Sequence, residues 1–421
     1  MKHLYIILFV LPLIVFGQGW EQSYVGDNHD YGWCVQQTLD GGYIIIGNDV
    51  IKTDENGSVE WINENILGSM YFPKEGQQTF DGGYVMIGGN NLIKTDENGE
   101  EQWSQTFQLS TGSLEEKSSV QQTFDGGYIL CGNINNNGNV DIHIIKTDEN
   151  GEEEWSQTFG ETGDDKGFSV KQTFDGGYII TGYITLGITS SGVEDRDIYL
   201  IKTDENGEEE WSQFFWYGTY WDYGHSVQQT VDGGYVITGK TTLGLLSTVN
   251  EEVCLIKTDE NGEEEWFQTF GVETGGPDYD VGYSIQQTND GGYIITGHTY
   301  SGGIDVYLIK TDQNGEEEWS QTFGGGCSDY GRSVKQTNDG GYIITGYTCS
   351  FGGEGYDIYL IKTDSEGNVE TTSTIEIPTP NSKRELIKTT NILGQENTII
   401  KNQPLIEIYD DGSTEKKIVI E

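Results

Sequence analysis

Carboxylates are the commonest reactive groups in this chain, and many stand in adjacent runs such as Glu263-Glu264-Glu265. A pair of carboxylates can carry out acid–base hydrolysis when one of them is withdrawn from water and its proton affinity is raised. Here the runs recur as near copies on a predicted hairpin beside an outer strand, where alternate side chains meet water, so no single acid is set apart. The same hairpin offers hard oxygen ligands for Ca2+ at Asp259, Asn261 and Glu263. Its glycine comes two positions too early for an EF-hand loop, and no bidentate glutamate follows at the twelfth position. An Asp and an Asn that satisfy turn amides account for the segment without a metal. No metal site and no cofactor are therefore expected, Ca2+ at this hairpin being the alternative. The five histidines, His3, His29, His143, His225 and His298, lack ligand spacing, and HExxH, CxxC, GxSxG and a glycine-rich phosphate loop leading into a helix are all missing. The expectation is a non-enzymatic protein with no catalytic residue.

The sharpest candidate for binding is the segment FFWYGTYWDYGH, in which Trp216, Tyr217, Tyr220, Trp221 and Tyr223 crowd one link while a sister repeat has FGGGCSDYGR. Exposed aromatic faces there would stack on sugar rings, with Asp222 accepting hydrogen bonds from hydroxyls. The competing reading packs these rings between blades five and six or has them cover a longer neighbouring loop. Asp30, Asp165, Asp222, Asp280 and Asp329 recur at one place in this link, and recurrence argues for a turn or capping role. Cys34, Cys131 and Cys254 replace Ser, Thr and Tyr of sister repeats in strand register, as small apolar fillers. Cys327 and Cys349 lie between strands of one repeat and form the candidate disulfide, which an export route permits.

What positions these groups is a repeat. DGGY begins at Asp40, Asp81, Asp125, Asp175, Asp232, Asp290 and Asp339, and each copy is followed by a hydrophobic run ending in Lys-Thr-Asp, at Lys52, Lys94, Lys146, Lys202, Lys257, Lys310 and Lys362. A period of this size marks a propeller or solenoid. Each unit contains four strand-like pieces bounded by Gly, Asp or Asn; in the unit starting at Trp266 they are WFQTF, SIQQT, GYIITG and VYLIKTD. Two of the four connections, TNDGGY and DENGEEE, barely change, whereas the other two vary widely. In a meander the constant pair shares one face and the variable pair the other, so one face is diversified, as binding faces of repeat scaffolds are. The tight NG hairpin cannot make the crossing from one blade to the next. A blade therefore comprises the last three pieces of one unit and the first piece of the following one. Trp stands in that piece at Trp20, Trp61, Trp103, Trp155, Trp211, Trp266 and Trp319, yet SEGNVETTST after Lys362 has none. The strand at Trp20 should then complete the last blade by pairing beside Lys362. The fold expected is all-β, a seven-bladed β-propeller of four-stranded blades over residues 18–371, closed by its N-terminal strand so that no edge is left unpaired.

The net charge of −47, from 69 acidic and 22 basic side chains, opposes nucleic acid and anionic lipid. Residues 1–17 have a basic start and an apolar stretch too short to span a membrane, the pattern of a secretory signal peptide. No other stretch approaches spanning length, so no membrane span is expected in the mature chain. TSTIEIPTPNS reads as a linker (372–382), and residues 383–421 leave the acidic repeat. The repeat, with DGGYIITG, DIYLIKTD, NG, Trp and FGG in order, resembles the secreted β-propeller repeats common in Bacteroidetes proteins. In architecture it is similar to WD-repeat propellers, without their Trp-Asp and Gly-His signatures. Propeller sialidases need three arginines around a carboxylate, and this body has only Arg196 and Arg332. The tail resembles the C-terminal sorting domain of the type IX (Por) secretion system through Asn391-Ile392-Leu393-Gly394, Pro404 to Tyr409, Asp411-Gly412 and Lys416 to Glu421. That resemblance implies export across the outer membrane by the type IX machinery, which engages residues 383–421 and removes them. The resulting expectation is a secreted or cell-surface binding or adhesion protein, with a glycan or surface protein as ligand on the variable face. The alternatives are a secreted hydrolase of polysaccharide or glycoprotein, and a structural surface or matrix protein.

Overall fold

A computed structural model describes residues 19–369, save 25–28, 65, 67–73, 110–117, 137, 189–193, 219, 244–249, 273–278, 301 and 352–354, and the strands Leu386–Asn391, Pro404–Tyr409 and Thr414–Ile418. The expected signal peptide and linker lie outside the described residues. Two units are present, Met1–Val369 and Glu370–Glu421. In the second, the three strands form an antiparallel meander with Pro404–Tyr409 in the middle, one strand more than the hairpin the alternation of LIEIY and KKIVIE suggests.

Seven four-stranded antiparallel sheets build the first unit as a propeller. Blade one runs outward through Gly32–Gln37, Tyr43–Gly47, Asp49–Thr53 and Val59–Glu64, and the following blades repeat this order. Blade seven consists of Asp329–Gln336, Tyr342–Thr348 and Asp357–Thr363, and its fourth strand is Trp20–Tyr24. Trp20 stands opposite Lys362 in that pairing, so the ring closes as the missing Trp implies. Middle strands are buried on both faces because each blade is covered by two neighbours. Ile179, Ile198 and Leu200 of blade four, for example, pack with Val227, Ile237 and Ile256 of blade five. This explains runs such as YIITG that are apolar without alternation.

The constant motifs hold blade to blade. Each outer-strand Trp packs edge-on against the DGGY tyrosine of the next blade, as in Trp211 with Tyr235 at 5.7 Å. It also lies beneath that blade's NG hairpin. Gly262 has φ +80°, and a Cβ added to it would lie 2.5 Å from the Trp211 ring, so glycine is required for conformation and for space together. The repeated lysine is buried, with its ammonium at the rim. Lys257 Nζ donates to Thr258 O at 2.8 Å and meets Asp232 at 3.1 Å and Glu265 at 2.9 Å. DGGY, KTD and the third hairpin glutamate are thus one ion-paired cluster. Finally, the glutamine that ends each inner strand clips two turns. Gln78 Nε2 donates to Gly82 O of its own turn, while its Oε1 accepts from Leu39 N of the turn before. The same contact recurs through Gln122, Gln172, Gln229, Gln287 and Gln336 until Gln37 accepts from Asn338 N, completing a circuit.

Candidate functional site

The inner strands line a central channel, and in five blades that strand carries a register shift at one position. The extra residues are Trp33, Phe168, His225, Tyr283 and Arg332. A bulge leaves one residue outside the ladder and re-aims its side chain, and all five residues line the channel or its mouth. The glycine of the partner strand makes room for the bulge. At Gly346, opposite the shift at Arg332, an added Cβ would lie 1.7 Å from Tyr330 O.

Above the bulges the channel opens on the variable face into a cavity of about 660 Å3. Aromatic rings make most of its wall. Tyr347 touches Tyr31 and Tyr330, each at 4.7 Å between centroids, and Tyr356 at 5.2 Å. Tyr183 and Tyr223 meet at 4.9 Å on the opposite side. Cations stand among the rings. Arg332 lies 4.0 Å from the centroid of Tyr283 and 5.0 Å from that of Trp33, and its Nη2 donates to Tyr347 Oη at 2.5 Å. Arg196 donates to Tyr223 Oη at 2.7 Å and pairs with Glu194, while Lys240 pairs with Glu251. His298, beneath this group, is held neutral: burial and the charges of Arg332 and Lys240 push its pKa down to about 3. Burial also pushes the Tyr330 phenol up to about 12, with Tyr356 and Tyr347 adding to it. The throat below, about 440 Å3, contains Lys74, Lys171 and Lys335, with Glu75 the acid among its described lining; Lys171 pairs with Glu75 at 3.0 Å.

The aromatic segment singled out by sequence divides between two places. Trp221 and Tyr223 line the mouth. Trp216 remains 66% exposed beside Phe214, away from the cavity. Tyr217 stacks on Phe267 of the neighbouring outer strand at 3.5 Å and donates to Glu264, so it packs against blades four and five rather than between blades five and six. Tyr220 contributes its carbonyl to Arg196 N. Asp222 is 1% exposed, and both its oxygens are occupied: Oδ2 accepts from Tyr217 N and Gly218 N, and Oδ1 from Thr241 Oγ1 and Thr242 N. That corrects its assignment as an acceptor for ligand hydroxyls, because a buried carboxylate with four donors holds the loop. Asp165, Asp280 and Asp329 pin their own links to the following strand or loop in the same way. Cys327 and Cys349 are disulfide-bonded with Cα atoms 5.4 Å apart, joining the two variable links of blade seven beside Asp329. Cys34, Cys131 and Cys254 are buried and free. At the acidic hairpin, Asp259 Oδ1 accepts from Asn261 N and Glu263 N at 2.8 and 2.9 Å, the turn role weighed against calcium. Among the described residues no cluster of three metal-ligating side chains occurs.

Most of the mouth escaped the sequence reading: Tyr31, Trp33, Arg196, Tyr283, Arg332 and Tyr347 each come from a different loop or strand. A signal was present. In GWCV, GFSV, GHSV, GYSI and GRSV one position varies between constant neighbours, and that position is the bulge.

Two groups of carboxylates set opposite pH dependences. Asp197 is pushed up to about 7 by burial and by its neighbours Asp195 and Asp222, and burial raises Asp165 and Asp305, each beside another aspartate. These acids bind their protons more tightly folded than unfolded. Their stabilisation is complete below the unfolded value of about 4 and fades as pH rises through the folded one. The DGGY aspartates run the other way. Partial burial opposes it, but the Thr230 hydroxyl, Lys257 and the Gly234 amide hold Asp232 below its ordinary value. Stability from this group is present above about pH 4 and is lost as the pH falls further. A thermal-unfolding profile from pH 3 to 8 should peak between about 4 and 6. Asp197→Asn should flatten its alkaline limb by on the order of 1 kcal/mol after solvent screening. Stability that climbs steadily from pH 5 to pH 8 would contradict this.

No family model matches the chain, and no curated protein matches it in sequence. Solved structures similar in fold include BBS1N in complex with ARL6DN, at 11% identity over 85% of this chain and 99% of that chain, with a TM-score of 0.50. The WD40 domain of Neurospora crassa Pan2 aligns at 10% identity over 81% and 97%, with a TM-score of 0.49. A Bacteroides caccae protein of unknown function aligns at 13% identity over 70% and 94%, with a TM-score of 0.41. At such identities the likeness speaks to the propeller fold alone.

Proposed function

We propose that this protein is a non-enzymatic binding module, exported by way of its signal peptide and type IX sorting tail, that recognises carbohydrate at the variable-face mouth of the channel. The observation that carries the reading is the aromatic wall of that mouth. Tyr31, Trp33, Tyr223, Tyr283 and Tyr347 present ring faces and edges around a cavity of about 660 Å3, within the range of small-ligand sites. Flat apolar faces with polar tips suit sugar rings, whose C–H faces pack on aromatics while hydroxyls seek hydrogen bonds. The reading needs no cofactor. Among the described residues lining the mouth, Glu251 is the single carboxylate, and it is committed to Lys240, which favours a binder over the hydrolase alternative. The protein-bound state of BBS1N belongs to that protein and leaves a surface-protein ligand as the second class of partner to be screened.

A glycan array probed with the mature chain tests this. Trp33→Ala and Tyr283→Ala should each reduce the bound signal by roughly tenfold, the loss of one central aromatic anchor. Trp216→Ala, at the outer loop, should leave it unchanged. Silence across the whole array, or loss on changing Trp216 alone, would overturn the assignment to the mouth.

A further inference from the structure

Basic residues are scarce in the propeller, and their distribution is uneven. Outside the repeated Lys-Thr-Asp, residues 18–371 contain eight lysines and arginines. Lys166, Arg196, Lys240 and Arg332 line the mouth, and Lys74, Lys171 and Lys335 line the throat. The eighth, Lys117, lies outside the described residues. Facing these seven cations, the described lining has two carboxylates, Glu75 and Glu251. A chain of net charge −47 has therefore gathered its non-repeat cations around one cavity.

Two of them form no ion pair among the described residues. Arg332 hydrogen-bonds tyrosine hydroxyls and sits among four aromatic rings, and it has no carboxylate within ion-pair distance among the described residues. Its Nε–H is buried and has no acceptor among the described residues. Lys335, three residues further along the same inner strand, forms no hydrogen bond or ion pair among the described residues; burial and the charge of Lys171 push its proton affinity down, opposed in part by Glu75. A buried donor without an acceptor costs free energy that an incoming anion recovers, and a desolvated cation attracts that anion with little screening by salt. Rings fix the guanidinium in place, so little side-chain entropy is lost on binding.

We infer that the ligand is an acidic glycan, whose carboxylate or sulfate accepts a hydrogen bond from Arg332 Nε with Lys335 below it, while its sugar ring packs on Trp33 and Tyr283. The inference rests on the carbohydrate reading of the mouth and adds the charge of the ligand. It also accounts for the coexistence of cations and aromatics: a neutral sugar would use the rings and leave Arg332 and Lys335 unpaired. A single-stranded nucleic acid would use both as well. The exposed acidic hairpins and the enclosed position of the cations oppose a long polyphosphate, so the glycan is favoured.

The test measures affinity of the mature chain by calorimetry for alginate and galacturonate oligomers beside their carboxyl-reduced forms, and for heparin and chondroitin sulfate oligomers beside their desulfated forms. At least one acidic member should bind tenfold or more tightly than its neutral counterpart, the effect of one charge-assisted hydrogen bond. Arg332→Gln should abolish that preference, and Lys335→Gln should weaken it. Arg332→Lys keeps the charge but loses the Nε donor, and should restore only part of the preference, with unchanged thermal unfolding reporting that the ring is intact. Equal binding of acidic and neutral forms would overturn the acidic ligand and leave the sugar reading standing. Absence of binding to every oligomer, acidic or neutral, would remove both. Tighter binding of oligothymidylate or polyglutamate than of any glycan would replace the sugar by a different polyanion.

Discussion

Replacing Gly346 by alanine is expected to cost on the order of 3–4 kcal/mol and to disable the site at the same time. The new Cβ would fall 1.7 Å from Tyr330 O and 2.7 Å from its carbonyl carbon. No rotamer relieves a clash between Cβ and backbone, so the two strands must separate or the bulge must rearrange. The pairing here jumps from Gly331↔Gly346 to Ser333↔Thr345, which leaves Arg332 without a partner and directs it inward. Pulling the bulge flat would insert Arg332 into the ladder and shift every later residue of the inner strand to the wrong face. Denaturant unfolding should show the lost stability, and any ligand that depends on Arg332 should be lost with it. Gly326→Ala, where an added Cβ meets nothing within 4 Å, should stay within about 0.5 kcal/mol of the parent. A cost below about 1 kcal/mol at Gly346 would mean that the bulge is held elsewhere.

Removal of residues 18–24 is expected to convert a closed ring into an aggregating one. Trp20–Tyr24 pairs with residues 358–362 of the strand Asp357–Thr363, and without it that strand becomes an exposed edge rich in Ile, Tyr and Leu. Contacts to blade one disappear too. Trp20 packs against Tyr43 and under Gly57, and Tyr24 Oη donates to Gly57 O at 2.7 Å. Trp20→Ala alone should cost about 2–3 kcal/mol, somewhat less than a fully buried Trp because the ring is partly exposed. Light scattering during thermal unfolding separates the two variants: aggregation before unfolding for the deletion, and a lower but reversible transition for the point variant. A deletion that unfolds like the parent would show that closure contributes little.

The fold was legible because its determinants repeat. Seven copies of DGGY and KTD, with six of NG, defined the strand boundaries, and the one copy without Trp, after Lys362, located the closing strand. Such signals add across copies, so noise in one repeat does not obscure them. The site was illegible for the opposite reason. The described lining of the mouth is drawn from five blades, and its residues become neighbours only when the ring closes. Tyr31 and Tyr347 touch although they lie at opposite ends of the propeller sequence. The one contiguous aromatic stretch, Trp216 to Tyr223, drew attention by density, and density in sequence proved a poor guide: Tyr217 is spent on Phe267, and Asp222 on its own loop. The role of the repeated lysine was hidden too, since nothing in KTD shows that its ammonium joins Asp232 to Glu265 from a buried stem.

The bulge positions have a consequence for how such a protein changes over time. A residue outside the ladder leaves the strand pairing around it unchanged, and one ring already accommodates Trp33, Phe168, His225, Tyr283 and Arg332 in equivalent places. Mutational drift at these five codons would therefore change the lining of the channel while the strand pairing that closes the ring stays in place. A combinatorial library confined to them would measure how many linings one scaffold accepts.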